Sequence, residues 1–254
     1  MFFRAPKPAP VEALHPLELA DGRSVDVRWV RDPRARRLRL LVTDRGPRLT
    51  LPRGVSQRAA TAFLHEHRDW LAMQLARRPA PPPPLQAGIT ATLPLRGADL
   101  PVAWCEGRYA RVGVGENGIA FQLPARASAA QARAALRDFY LQQARADLGA
   151  WLPRYLPGLP RAPRSFGFRA LSSIWGSLSP SGAVSLDLSL VLGRPEAFEY
   201  VLVHELCHLI QANHSRAFWR EVEARWPQWR GERDYLRSAE GMALKSRLAA
   251  LLGS

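Results

Sequence analysis

Apolar and polar positions change period several times along this chain, and each change marks an element. Val25-Asp26-Val27-Arg28-Trp29-Val30-Arg31 alternates apolar and polar, the period of a half-buried strand. Arg36-Arg37-Leu38-Arg39-Leu40 continues the alternation, and Arg48-Leu49-Thr50-Leu51 resumes it after a turn at Gly46-Pro47. From Ser56 to about Arg78 the period is helical. Ser56 stands at the N-cap, and Ala60, Phe63, Leu64, Leu71 and Leu75 form the apolar stripe. The prolines from Pro79 to Pro84 read as a stiff polyproline linker. Short strand-like runs then fall between residues 89 and 123, broken by Gly97, Gly107 and Gly118.

The second half is dominated by helical spacing. Residues 128–151 predict a long amphipathic helix capped by Ser128, with Ala132, Leu136, Phe139, Leu148 and Trp151 inward and Pro153 and Pro157 as stops. Residues 164–170 and 183–188 read as strands, with a turn at Pro180-Ser181-Gly182 between them. Pro195 opens a helix running to about Ala212, and further helices are expected over 215–226 and 228–252. In the helix after residue 215, Trp219 and Trp226 fit the core face. The pattern predicts an α+β protein. Residues 1–22, rich in Pro and Ala, are expected to be poorly ordered. Residues 23–125 form a β-rich region with one helix and the linker at 79–84, and residues 126–254 form a mainly helical domain with a small sheet.

Composition narrows the setting. With 254 residues and 47% hydrophobic content the chain can fill a substantial core. No apolar run approaches the roughly 20 residues that span a bilayer, so no membrane role is expected. The opening Met1-Phe2-Phe3-Arg4-Ala5-Pro6 lacks the apolar stretch of a signal peptide, which predicts a cytoplasmic location. Cys105 and Cys207 are the only cysteines, too few for a four-thiolate zinc site and no basis for a disulfide framework. The formal net charge is +14, almost all from arginine because Lys7 and Lys245 are the only lysines. Such a surface attracts polyanions. The arginines are spread along the whole chain, however, and this predicts weak, non-specific nucleic-acid binding instead of a dedicated reading surface.

The sharp chemical signal is His204-Glu205-Leu206-Cys207-His208. Residues four apart share a helix face, so two imidazoles at this spacing can grip one zinc ion. Glu205 lies about 100° around the helix from His204 and about 60° from His208, flanking a metal without capping it. There it could act as general base towards a metal-activated water and return the proton to a leaving amine. About 0.007 such matches are expected by chance in a chain of this composition. The preceding run Tyr200-Val201-Leu202-Val203 also gives the apolar face that a buried active-site helix requires. Cys207, inside the motif, reads as a buried structural thiol.

A third ligand must come from elsewhere. His214 would lie about 9 Å further along a continuing helix, so it reaches the metal only if the chain turns first. Asn213 tolerates the left-handed conformation, and Ser215 can cap the next helix. The competing choice is a carboxylate from the later helices, where Glu221, Glu232 and Glu240 are available. His15, His65 and His67 read as structural or exposed. Residues 183–188 are the candidate for an edge strand that holds an extended substrate beside the active-site helix.

The run Tyr200 to His208, followed by Asn213-His214-Ser215 and Phe218-Trp219, resembles the YgjP-like metallopeptidase family, which is related to the SprT-like and WLM zinc proteases. The resemblance extends to Trp175-Gly176-Ser177, to Ser185-Leu186, to Arg34-Ala35-Arg36-Arg37-Leu38-Arg39-Leu40 and to Leu51-Pro52-Arg53. It implies a zincin-like catalytic domain over 126–254. It also implies a zinc metallopeptidase acting on a peptide or protein substrate, with His204, His208 and His214 as ligands and Glu205 as the catalytic acid/base. The chain departs from the family pattern at Ile174, where an arginine is usual, and at Leu178, where a cysteine is frequent. Two other readings stand beside this one: a nucleic-acid-associated protease of the SprT-like kind, and a non-catalytic module with structural zinc. The intact Glu205 argues against the second, since a structural site needs no base.

Overall fold

The computed structural model describes residues 12–43, 46–76, 82–171 and 173–253. By its contacts the chain divides between Ala80 and Pro81 into two compact units. The expected helix end at Arg77-Arg78, the first prolines of the linker and residues 1–11 lie outside the described residues. The α+β reading stands: helices and small mixed sheets make up both units.

The first unit holds strands β1 (Glu12–Glu18), β2 (Ser24–Arg31), β3 (Arg39–Thr43) and β4 (Gly46–Leu51) in the order β1-β2-β4-β3. Its helices are α1 (Gln57–Glu66) and α2 (Arg68–Ala76). Val27, Trp29, Leu49 and Leu51 meet Ala60, Leu64 and Leu71 in one core. Poor order is expected of residues 1–22, but the described part of that stretch, from Glu12, is structured. β1 pairs along its whole length with β2, Leu17 and Leu19 are buried, and the His15 ring stacks on Trp29 at 3.9 Å. Pro16 hid this strand, but a proline is tolerated at a sheet edge, and β1 is an edge. The single helix expected from Ser56 is two. Ser56 caps α1 through Ala59 N–H, but His67 interrupts, its ring Nδ1–H donating to the Phe63 carbonyl at 2.9 Å.

The second unit opens with a sheet of β5 (Thr92–Leu95), β6 (Ala98–Glu106), β7 (Arg111–Gly115) and β8 (Gly118–Leu123), ordered β5-β6-β8-β7. Leu93, Ile119 and Phe121 join Leu136, Phe139 and Tyr140 of α3 (Ala129–Tyr155) in the main core, and Tyr140 O–H donates to the Pro94 carbonyl. These strands, expected to belong with the N-terminal platform, therefore belong to the second unit. The Arg96-Gly97 turn donates both N–H groups to the Val191 and Leu192 carbonyls, at 2.9 and 3.0 Å. Gly97 has φ +81°, where a side chain is strained, and a Cβ there would stand 3.3 Å from the Arg194 Cα. Ser128 caps α3 in a reciprocal box with Gln131. Pro153 does not stop α3 but lies inside its last turn, where it removes one backbone hydrogen bond.

A second sheet holds β9 (Ser165–Arg169), β10 (Gly176–Leu178) and β11 (Ala183–Asp187) in the order β10-β11-β9. β11, the expected edge strand, is central and has both backbone sides paired, so the edge nearest the motif is β10. Four helices complete the unit: α4 (Pro195–Cys207), α5 (Arg216–Arg225), α6 (Trp229–Arg237) and α7 (Ala239–Leu252). The expected helix over 228–252 is divided at Ser238, whose extended backbone breaks α6 and whose hydroxyl caps α7 through Gly241 N–H. α4 runs through the middle of the unit, against α3, α5, α6, β10 and β11. No helix among the described residues is long and apolar enough to cross a membrane.

Candidate metal centre

α4 is buried almost all round. Ala197 to Val203 are enclosed without exception, as are Leu206 and Cys207. A helix hydrophobic on every side belongs to a core, and this one holds its polar residues wherever the turn places them. His204 and His208 project from successive turns with ring centroids 5.1 Å apart. The helix then stops at Cys207, about five residues before the expected end, and His208 is its C-cap residue. Leu209, Ile210 and Gln211 fold back onto the Leu206 and Cys207 carbonyls. This early turn returns His214 to the motif. Asn213 contributes by its side chain, which accepts Ser215 N–H at 3.3 Å, and not by the expected left-handed backbone; among the described non-glycine residues only Arg96 has positive φ. Ser215 caps α5 as expected.

The three imidazoles converge. One nitrogen from each of His204, His208 and His214 lies within 4.8 Å of the others, and among the described residues this is the one such cluster of His, Cys, Asp or Glu. His204 Nε2 and His214 Nε2 are 3.0 Å apart. A tetrahedral ion with nitrogens at about 2.0–2.1 Å sets its ligand atoms roughly 3.4 Å apart, a spacing bracketed by these distances. His208 is aimed by its other nitrogen. Nδ1–H donates to the Gln211 carbonyl at 3.1 Å, which leaves Nε2 as a lone pair. His204 has no such support, since its Nδ1 is buried without a hydrogen-bond partner. Packing orients it instead. The Phe218 ring lies 4.9, 4.5 and 4.8 Å from the rings of His204, His208 and His214 and forms the floor of the site. Burial, and then the neighbouring His208 and His214, push the His204 pKa down to about 3. Burial also lowers that of His208. Neutral imidazole is the form that ligates, so the donor set suits a metal ion.

Glu205 is 5% exposed and faces β10. Burial raises its pKa to about 7, against the opposing pull of the Leu178 N–H. That N–H is available for a topological reason. Trp175 and Ser179 bond to Asp187 and Ala183, so residues 176 and 178 turn their backbone groups away from β11. At Gly176 a Cβ would stand 2.7 Å from both Cγ and Oε1 of Glu205. The glycine is the space into which the carboxylate fits. Lys245 ties down the segment before it, donating to the carbonyls of Leu171 and Ile174 at 2.8 and 2.9 Å, 3.7 Å from Asp187 and over the Trp175 ring.

The rival carboxylates lie elsewhere. Glu221 pairs with Arg225 at 2.6 Å and Glu232 with Arg194 at 2.9 Å, while Glu240 lies beside Tyr235. None of them joins the histidine cluster. Cys207 is fully buried, and burial pushes its thiol up to about 12, in keeping with a structural role. On α5 the core residues are Phe218 and Val222, whereas Trp219 and Trp226 are only half-buried. The spacing reading missed Phe218 as the floor of the site and Gly176 as the seat of Glu205. The adjacency of Phe218-Trp219 to the histidine and the unusual Trp-Gly-Ser run were the available signals, but neither reveals a contact across the fold.

A family model described as YgjP-like, metallopeptidase domain, matches residues 36–239. Among solved structures, the chain is similar to the crystal structure of the metallopeptidase zymogen of Pyrococcus abyssi abylysin. The identity is 24%, over 39% of this chain and 91% of that chain, with a TM-score of 0.30. No curated protein matches.

Proposed function

The chain belongs to the YgjP-like metallopeptidase family, and on that premise we propose that it is a zinc-dependent peptidase whose His204, His208 and His214 hold the ion and whose Glu205 moves the proton. The observation that carries this reading is the convergence of three imidazoles beside a buried carboxylate. When bound, zinc supplies Lewis acidity, polarising a carbonyl and making a water acidic near neutral pH.

The rest is the work of the chain. Glu205 accepts the proton of the attacking water on its carboxylate and gives it to the leaving amine nitrogen, so one group serves as base and then as acid. Leu178 N–H and the glycine gap at Gly176 hold the carboxylate on its path. Phe218 and the buried face of α4 keep bulk water from the back of the histidine rings. An extended peptide adds along β10, the sheet edge beside Glu205, through backbone hydrogen bonds. A site whose zinc served only structure would have no use for a buried carboxylate one residue from a ligand.

The test is metal content together with hydrolysis. Purified protein is expected to carry about one zinc per chain and to cleave unstructured polypeptides, and both properties should disappear with a chelator and return with zinc. Cleavage that persists in metal-free protein would refute the reading.

A further inference from the structure

Beside the histidine cluster lies a cleft of about 600 Å³ lined by Arg216, Trp219, Arg220, Glu223, Trp229 and Arg230. Its wall is one stripe of α5, because residues 216, 219, 220 and 223 recur at helical spacing on the side away from the buried Phe218 and Val222. Trp219 is shared by the cleft and the metal centre. Its ring stacks on His214 with centroids 5.8 Å apart, and on Trp229 at 4.3 Å. The cleft therefore begins one aromatic ring away from a proposed ligand.

Its charge is not balanced. Glu223 pairs with Arg230 at 2.8 Å, and Arg230 also covers the Trp229 ring. Arg216 and Arg220 are exposed and have no acidic partner among the described residues. Both are placed against local preference. Arg216 stands in the first turn of α5, where no acidic residue offsets the helix dipole, and like charges four residues apart repel. A ligand carrying negative charge relieves both conflicts, and the fork geometry of arginine suits a carboxylate.

We infer that this cleft is a substrate subsite for a carboxylate, one carried within two residues of the scissile bond by an acidic side chain or by the chain terminus. The inference rests on the peptidase reading above. An extended chain advances about 3.3 Å per residue, so a peptide reacting at the histidine centre brings a neighbouring residue to the far side of Trp219. Trp219, backed by the buried Trp229, packs its aliphatic carbons while Arg216 and Arg220 meet the charge.

The experiment measures binding apart from turnover, by fluorescence anisotropy on zinc-loaded E205Q protein. The labelled peptides carry Glu or Gln at each of the two positions on either side of a central bond, with amidated C-termini. A neutral peptide with a free C-terminal carboxylate forms the second arm. At least one Glu peptide, or the free-carboxylate peptide, is expected to bind about 10-fold tighter than its neutral counterpart. That preference should vanish in E205Q carrying R216Q and R220Q and survive in E205Q carrying R111Q and R126Q, which removes the same charge from distant surface. The arm that shows the preference identifies the source of the carboxylate. Equal binding of charged and neutral peptides, or a preference lost equally in both charge variants, overturns the inference. So does a single-stranded oligonucleotide that binds more tightly than any peptide near 0.15 M salt and loses that affinity in R216Q/R220Q. If the preference appears but wild-type protein with zinc cleaves none of the peptides, the subsite stands and the peptidase reading falls.

Discussion

Helices α4 and α5 form the two sides of one candidate metal centre, and they do so under opposite constraints. α4 is enclosed by α3, α5, α6 and two strands, and its residues from Ala197 to Val203 are buried on every face. α5 buries only Phe218 and Val222 and turns a basic, aromatic stripe outward. A change almost anywhere on α4 must be absorbed by a close-packed core. A change on the outer stripe of α5 meets solvent. The enclosed helix therefore fixes the placement of His204, Glu205 and His208, while the outward stripe of α5 is free to adjust what approaches.

Four changes test that division, in order of expected effect. Glu205→Gln on the enclosed helix is expected to lower turnover by about 10²–10⁴-fold while zinc content stays near that of wild type. Comparable turnover of the two proteins on any cleaved peptide would remove Glu205 from its role. His214→Ala, on the turn leading into α5, should weaken zinc retention by more than about 10²-fold, beyond the roughly 10- to 100-fold that loss of an outer-shell partner produces. Glu221→Ala, Glu232→Ala and Glu240→Ala should each leave zinc retention unchanged, as competition with a zinc dye would show. If one of the glutamates matters and His214 does not, the third ligand is misassigned.

Gly176→Ala probes how tightly the enclosed side is seated. The added Cβ would meet Glu205 at 2.7 Å, so the carboxylate must shift. A fall in kcat of about 10- to 100-fold is expected, with zinc content and KM little changed. Retention of full kcat would mean that Glu205 tolerates displacement. Lys245→Met is the mildest. It strips the Leu171 and Ile174 carbonyls of a donor while Asp187 keeps its bonds from Leu171 N–H and Ser189. A loss of about 1–3 kcal/mol is expected by denaturant titration, with a smaller fall in kcat than Gly176→Ala gives. A larger fall than that would make the tether of residues 171–175 more important than the glycine gap.

The legible parts of the fold share a cause. Ser56, Ser128 and Ser215 act as N-caps where the sequence places them, because a cap is a contact between residues two or three apart. β2, β9 and β11 follow their alternation, because one face of each meets a core. The failures were also systematic. β1 was hidden by Pro16 and by a pairing partner outside its own run, α4 ends early at Cys207, and the final helix divides at Ser238. Each depends on what a segment packs against, which local spacing does not carry.

The sequence by itself determined which residues of α4 could make the candidate centre. His204, Glu205 and His208 are fixed on one short helical segment by spacing alone, and the positions of Asn213, His214 and Ser215 made a return turn available. Tertiary structure decided the rest. It stopped α4 at Cys207 so that His214 could reach His204, and it made β10 and not β11 the open edge. It also set Gly176 against Glu205 and stood Trp219 between the histidines and a basic cleft. A helix constrains residues three and four apart through its own hydrogen bonds, so motifs within it are written locally. Residues far apart in sequence, such as Gly176 and Glu205, are brought together only by burial of the core they share.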